Sequence, residues 1–153
     1  MADTIIGAVV QKFDQSTAYG QVTASGGLWL GEVPAEKEYP IAVLWHLGEV
    51  PELNTGGTYV ERGKLQFETY ATTLEAAESI ATLIKDDFDP YQDSSGNTYY
   101  VDVSLPSGVT LMRFERSNYL VTSGETQAPD SKTVYQTITE YEYEVVRPMK
   151  VKS

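Results

Sequence analysis

Between Tyr39 and Asp89 the chain alternates strand, polar loop, strand and helix, and this order decides which folds are open to it. Ile41 to Leu47 (IAVLWHL) is an apolar run of strand length, which predicts a strand covered on both faces. Residues 48–58 (GEVPELNTGGT) carry turn-forming residues throughout and predict a long loop. From Tyr59 to Ala71 the pattern returns to a strand, with Leu65, Phe67 and Thr69 alternating against Gln66, Glu68 and Tyr70. Gly63 predicts a bulge or bend near its start. Thr72 and Glu75 then have the spacing of a capping box, in which each side chain satisfies the other residue's free backbone N–H. Leu74, Ala77, Ile80, Ala81, Ile84 and Phe88 follow at helical spacing as one apolar stripe, and Pro90 stops the helix.

The flanking segments complete the pattern. Asp3 or Thr4 can cap a first helix, whose stripe is Ile5, Ile6, Val9, Val10 and Phe13. Gly20 and Gly26-Gly27 are expected to end it. Tyr99 to Leu105 alternates, Pro106-Ser107-Gly108 reads as a tight turn, and Val109 to Tyr119 is expected to pair back, with Met112 and Phe114 on one face. After a polar loop at 123–132, Val134 to Val146 alternates for longer than any other segment. Tyr135, Thr137, Thr139, Tyr141, Tyr143 and Val145 share one face, and Gln136, Ile138, Glu140, Glu142 and Glu144 the other. Strands not separated by helices pair antiparallel by default. The expected fold is α+β in a single domain over residues 1–147, with a short tail at 148–153. It comprises a twisted, mostly antiparallel β-sheet, one long amphipathic helix packed on one face, and a short N-terminal helix beside it.

Composition excludes several chemistries. With no cysteine there is no disulfide, thiolate metal site or cysteine nucleophile, and the single histidine, His46, makes no zinc cluster. His46 reads as a hydrogen-bonded or interface residue. Asp86, Asp87, Asp89 and Asp93 cluster at a helix end but lack the glycine and terminal glutamate of a calcium loop. Glu140, Glu142 and Glu144 point the same way along one strand, whereas a glycosidase needs carboxylates on two sides of a bond. Neither glycine pair is followed by a phosphate-loop signature. No cofactor or metal is expected. A net charge of −11 opposes binding to a phosphate backbone, and the eleven tyrosines suit protein interfaces better than base stacking. No signal peptide or membrane span is read, so a soluble protein made in the cytoplasm is expected.

The Pro-flanked strand (EYPIAVLWHL), the strand–Thr–Glu-Ala-Ala–helix passage (LQFETYATTLEAAESIATLIKDDF) and the long closing strand (VYQTITEYEYEVV) together resemble the tail-terminator, or tail-completion, proteins of long-tailed bacteriophages and prophages. The resemblance spans roughly residues 1–147. It implies a non-enzymatic structural virion protein at the neck, assembled in the host cytoplasm. Such a protein forms a ring, typically a homo-hexamer, that caps the tail tube, stops tube polymerisation and offers a joining surface to the head connector. Its implied partners are further copies of itself, the major tail tube protein and the head-completion protein, with DNA passing through the lumen without specific binding. Expected contact residues are Glu52, Asn54 and Thr58 in the first loop and Glu125, Gln127, Asp130 and Lys132 in the second. Glu140, Glu142 and Glu144 are the expected acidic channel face. A head–tail connector protein, a small enzyme and a host binding module are the alternative readings.

Overall fold

The computed structural model describes residues 4–33, 38–53, 57–125 and 133–149. Thr4 caps α1 (Ile5–Asp14), its hydroxyl accepting a hydrogen bond from the Gly7 amide at 3.1 Å. Ser16 caps a further short helix, α2 (Thr17–Val22), which the sequence reading lacked. Gly20 lies inside α2 and does not break it; Gly26 and Gly27, both at positive φ, end the helical region. The short apolar segment Leu28-Trp29-Leu30 is strand β1 (Leu28–Leu30).

The next hairpin is longer than predicted. β2 (Ile41–Leu53) pairs antiparallel with β3 (Thr58–Ala71), so Gly48 to Leu53 is strand rather than loop. The irregularity read into Gly63 lies in β2 instead, as a bulge between His46 and Gly48. Gly63 is needed for a different reason: a Cβ there would run into the Tyr143 hydroxyl and approach the Gly48 carbonyl at 2.7 Å. Both faces of β2 are covered only through Leu44, and Trp45 and Leu47 are exposed.

α3 (Leu74–Phe88) is capped by Thr73, whose hydroxyl accepts from the Ala76 amide at 3.2 Å. The predicted Thr72–Glu75 box is therefore displaced by one residue. Ala77, Ile80, Ala81, Ile84 and Phe88 are buried, whereas Leu74, assigned to the same stripe, is exposed. Beyond α3, β4 (Tyr91–Gln92) and β5 (Thr98–Tyr99) form a small separate ribbon. The predicted strand from Tyr99 to Leu105 is irregular beyond Tyr99. Its Val101 is nonetheless buried, and Val103 and Leu105 pack on the core.

The long β6 (Thr110–Glu125) therefore pairs not with that segment but with β7 (Thr133–Pro148). A bulge between Leu111 and Arg113 shifts the alternation, so Phe114 is buried and Met112 exposed, not on one face together as predicted. The main sheet has five strands in the order β1-β2-β3-β7-β6, antiparallel except for the β1–β2 pair. β7 extends to Pro148, one residue into the predicted tail; residues 150–153 lie outside the described part.

One core holds the molecule together. The apolar rows of α1, α2 and α3 meet Leu44, Leu65, Phe67, Phe114, Tyr141 and Tyr143 of the sheet. Phe67 packs on Phe88 at 4.9 Å and edge-on to Tyr141 at 6.0 Å, and Tyr141 stacks on Phe114 at 5.0 Å. Such aromatic pairs contribute about 0.5–1.5 kcal/mol each beyond area burial. A buried threonine pair, Thr69 and Thr137, hydrogen-bonds at the seam, and Thr69 also donates to the Ala77 carbonyl at 3.1 Å. No described helix is long and apolar enough to cross a membrane.

Candidate assembly surfaces

Strand alternation puts Glu140, Glu142 and Glu144 together on the sheet face away from the core, because Thr139, Tyr141, Tyr143 and Val145 are buried. The face is a mixed-charge ladder rather than a bare acidic strip. Arg113 reaches Glu144 at 3.3 Å and Glu142 at 3.7 Å, and also its own-strand neighbour Glu115 at 3.3 Å. From β3, Lys64 meets Glu142 at 3.5 Å and Arg62 meets Glu144 at 3.1 Å. Exposed pairs of this kind contribute about 0–1 kcal/mol each. Their main effect is to hold the side chains in register across β3, β7 and β6.

Further along the same face Glu68 is buried. Its carboxylate accepts from the Tyr70 hydroxyl at 2.6 Å, Gln136 at 2.8 Å and Gln66 at 3.2 Å. These donors satisfy a charge that burial would otherwise penalise. Burial, followed by the bond to Glu68, pushes the Tyr70 hydroxyl well above the usual tyrosine range.

On the core side the β2 bulge assembles His46, Glu49 and Tyr143. The Tyr143 hydroxyl donates to Glu49 Oε1 at 2.6 Å and lies 2.8 Å from His46 Nε2, which is 3.4 Å from the same carboxylate. Gly63 leaves the space that Tyr143 occupies. His46 is thus hydrogen-bonded, the role expected of it. A shallow recess of about 410 Å³ lies at this bulge, lined by Leu47, Val50, Arg62, Lys64, Arg113 and Glu142. Its charged side chains already pair across the sheet face. Among the described residues, no group of three or more His, Asp or Glu side chains is placed to hold a metal ion.

The aspartates at the end of α3 separate into different roles. Asp89 accepts from the Tyr141 hydroxyl at 2.7 Å, and both its oxygens accept from Arg116 Nε at 3.2 Å, tying the helix end to β7 and β6. Asp93 accepts from the amides of Ser95 and Asn97, folding the ribbon turn, and these bonds hold its carboxyl below the usual range. Desolvation raises that of Asp87.

Of the predicted contact residues, Glu52 lies on β2 and pairs with Arg62 at 2.6 Å. Thr58 begins β3 opposite Pro148. Glu125 is the last residue of β6, and its side chain lies outside the described part, as do Asn54, Gln127, Asp130 and Lys132 entirely. The structure brings forward another set. β1 covers β2 only at Ala42, Val43 and Leu44, so the edge from Trp45 to Leu53 has no strand partner among the described residues. β6 forms the opposite edge. Trp45, Leu47 and Val50 are exposed on the first edge, and Leu120 and Val121 on the second. A signal for the second was present in the uncharged segment Asn118 to Gly124 (NYLVTSG), which reading β6 as ending at Tyr119 divided in two. A scan against protein-family models finds no match for the chain, and a search of the curated proteins finds none either.

Proposed function

We propose that this chain is a structural protein of a long-tailed bacteriophage or prophage: a tail terminator that closes into a ring on the finished tail tube. The observation that carries the reading is the pair of open edges at opposite sides of one sheet, each bearing exposed apolar side chains. Unpaired edges invite strand addition, and different edges on one molecule give head-to-tail contacts that close into a ring when the rotation permits. The sequence resemblance supplies the biological setting. In this reading α3 is the long amphipathic helix of the fold, with α1 beside it. Together they cover one sheet face and leave the other for the assembly.

The uncovered face carries Glu52, Glu115, Glu140, Glu142 and Glu144 against Arg62, Lys64 and Arg113, which leaves an excess of carboxylates. Turned towards a lumen, such a face lets DNA slide past, because like charges repel its phosphates. The tube protein and the head connector meet the two rims of the ring. Addition of the purified protein to polymerising tail tube protein tests this function. A terminator stops elongation and is found at one tube end. Unchanged tube growth in its presence rejects the terminator reading, and a ring that instead binds the head portal favours the connector.

A further inference from the structure

We infer that the open half of β6, Asn118–Glu125, adds antiparallel to the open half of β2, Trp45–Leu53, on a second copy of this chain. The inference rests on the proposed self-assembly and names the strands that join.

The two halves of β6 differ. Its first half is interrupted by bulges at Leu111/Arg113 and Arg116/Asn118. It also lies beside the segment following β5, where Tyr100 donates to Glu115 at 3.3 Å and Val101 joins the core cluster that contains Phe114. Bulges and covering segments are the usual protections of an edge. From Asn118 onward the pairing with β7 is regular, no charged side chain occurs before Glu125, and Leu120 and Val121 are exposed. In a chain of net charge −11, an uncharged β-branched and aromatic edge without proline is an aggregation hazard unless a specific partner covers it.

The chain itself offers a fitting partner. The open stretch of β2 bears Trp45, Leu47 and Val50. Its two acids are already engaged within their own copy, Glu49 by Tyr143 and Glu52 by Arg62. Neither presents an uncompensated charge to an incoming strand. Direction fits as well. Through β2, β3, β7 and β6 each neighbour runs opposite to the last. A second copy in the same orientation, moved along the strands by the β7 stretch from Ile138 to Glu144 so that its Val50 comes level with Leu120, therefore sets its β2 antiparallel to the first copy's β6, and a stagger of this kind is what the tilted strands of a closed barrel carry. Strand pairing of β6 with its own twofold mate would leave the β2 edge bare; the head-to-tail arrangement covers both. It also keeps the glutamate-bearing face of every copy on the same side of one continuous sheet.

The absence of cysteine makes the test clean. Val50 and Leu120 lie on the same sheet face, opposite Arg62 and Ile138. Val50→Cys is combined in turn with Leu120→Cys and with Thr122→Cys, which samples adjacent registers on that face. Under mild oxidation one double variant is expected to give a ladder of disulfide-linked oligomers, while each single variant stays uncross-linked. Dimers from Leu120→Cys alone would show β6 pairing with itself and overturn the inference. Native oligomers without cross-linking in either double variant would place the interface elsewhere and leave self-assembly standing. A wild-type protein that stays monomeric would remove both. In an independent arm, Leu120→Lys is expected to retain its circular dichroism but to lose the oligomer, at least tenfold in apparent affinity. An unchanged oligomer in this variant contradicts the inference.

Discussion

At the residue scale, the most informative position is Gly63, because what it lacks creates the arrangement around it. Tyr143 passes over the space where a Cβ would stand, and its hydroxyl binds Glu49 beside His46. Gly63→Ala must displace either Tyr143 or the β2 backbone. Overpacking of this kind costs about 1–3 kcal/mol, and urea unfolding is expected to show the loss without a change in slope. Tyr141 and Tyr143 are fully buried, and burial, reinforced by hydrogen bonds to Asp89 and Glu49, raises both hydroxyls far above the ordinary tyrosine value. Tyr70 behaves similarly beside Glu68. The folded-state values lie above the unfolded ones, so this stabilisation is fully present below about pH 10 and is lost as pH rises through the folded-state values. Stability is therefore expected to fall steeply above about pH 10. Replacing all three tyrosines with Phe lowers stability near neutrality but makes the alkaline decline shallower. An equally steep decline in that variant would assign it to other groups. Sequence alone revealed that these tyrosines alternate on a strand, but not the carboxylates they meet, because Glu49 and Asp89 approach Tyr143 and Tyr141 only through the tertiary fold.

At the element scale, local signals were read well where packing and propensity agreed. α3 was legible because its apolar residues recur at helical spacing and Pro90 follows. Its cap was misplaced by one residue because adjacent threonines offer the same chemistry, and only the backbone turn decides between them. Thr73→Ala is expected to cost about 1 kcal/mol, whereas Thr72→Ala is near neutral, a difference that paired thermal melts resolve. β2 ran past its predicted end because Gly48 and Pro51 read as loop formers. In the structure Gly48 accommodates the bulge at φ 128° and Pro51 lies on an open edge, where a missing N–H donor costs little. The segment following Tyr99 has strand alternation without a strand. Its Val101, Val103 and Leu105 find burial against the core while β7 takes the pairing edge of β6. Hydrophobic spacing told which side chains go inward, but not which strand would claim the partner.

At the scale of the whole molecule, the mixed α+β class and the mostly antiparallel sheet follow from the order of elements. The candidate assembly surface was less legible. Composition makes the polar loops and the glutamates of β7 visible, whereas the exposed apolar residues stand on strand edges, which exist only once the strand order is known. Glu142 and Glu144 proved to be partnered across the sheet by Arg62, Lys64 and Arg113. From Asn118 to Gly124 the proposed seam carries no charged side chain, and Glu49 and Glu52 opposite are engaged within their own copy, so raising ionic strength is expected to leave the assembly intact, or to tighten it by screening the repulsion between acidic copies. Dissociation in high salt would point instead to an interface of ion pairs. The most direct measurement is the native mass of the purified protein over a range of concentrations. The account predicts a single closed oligomer whose mass is an integral multiple of the 16.9 kDa chain and does not grow with concentration. A protein that remains at 16.9 kDa throughout would contradict it.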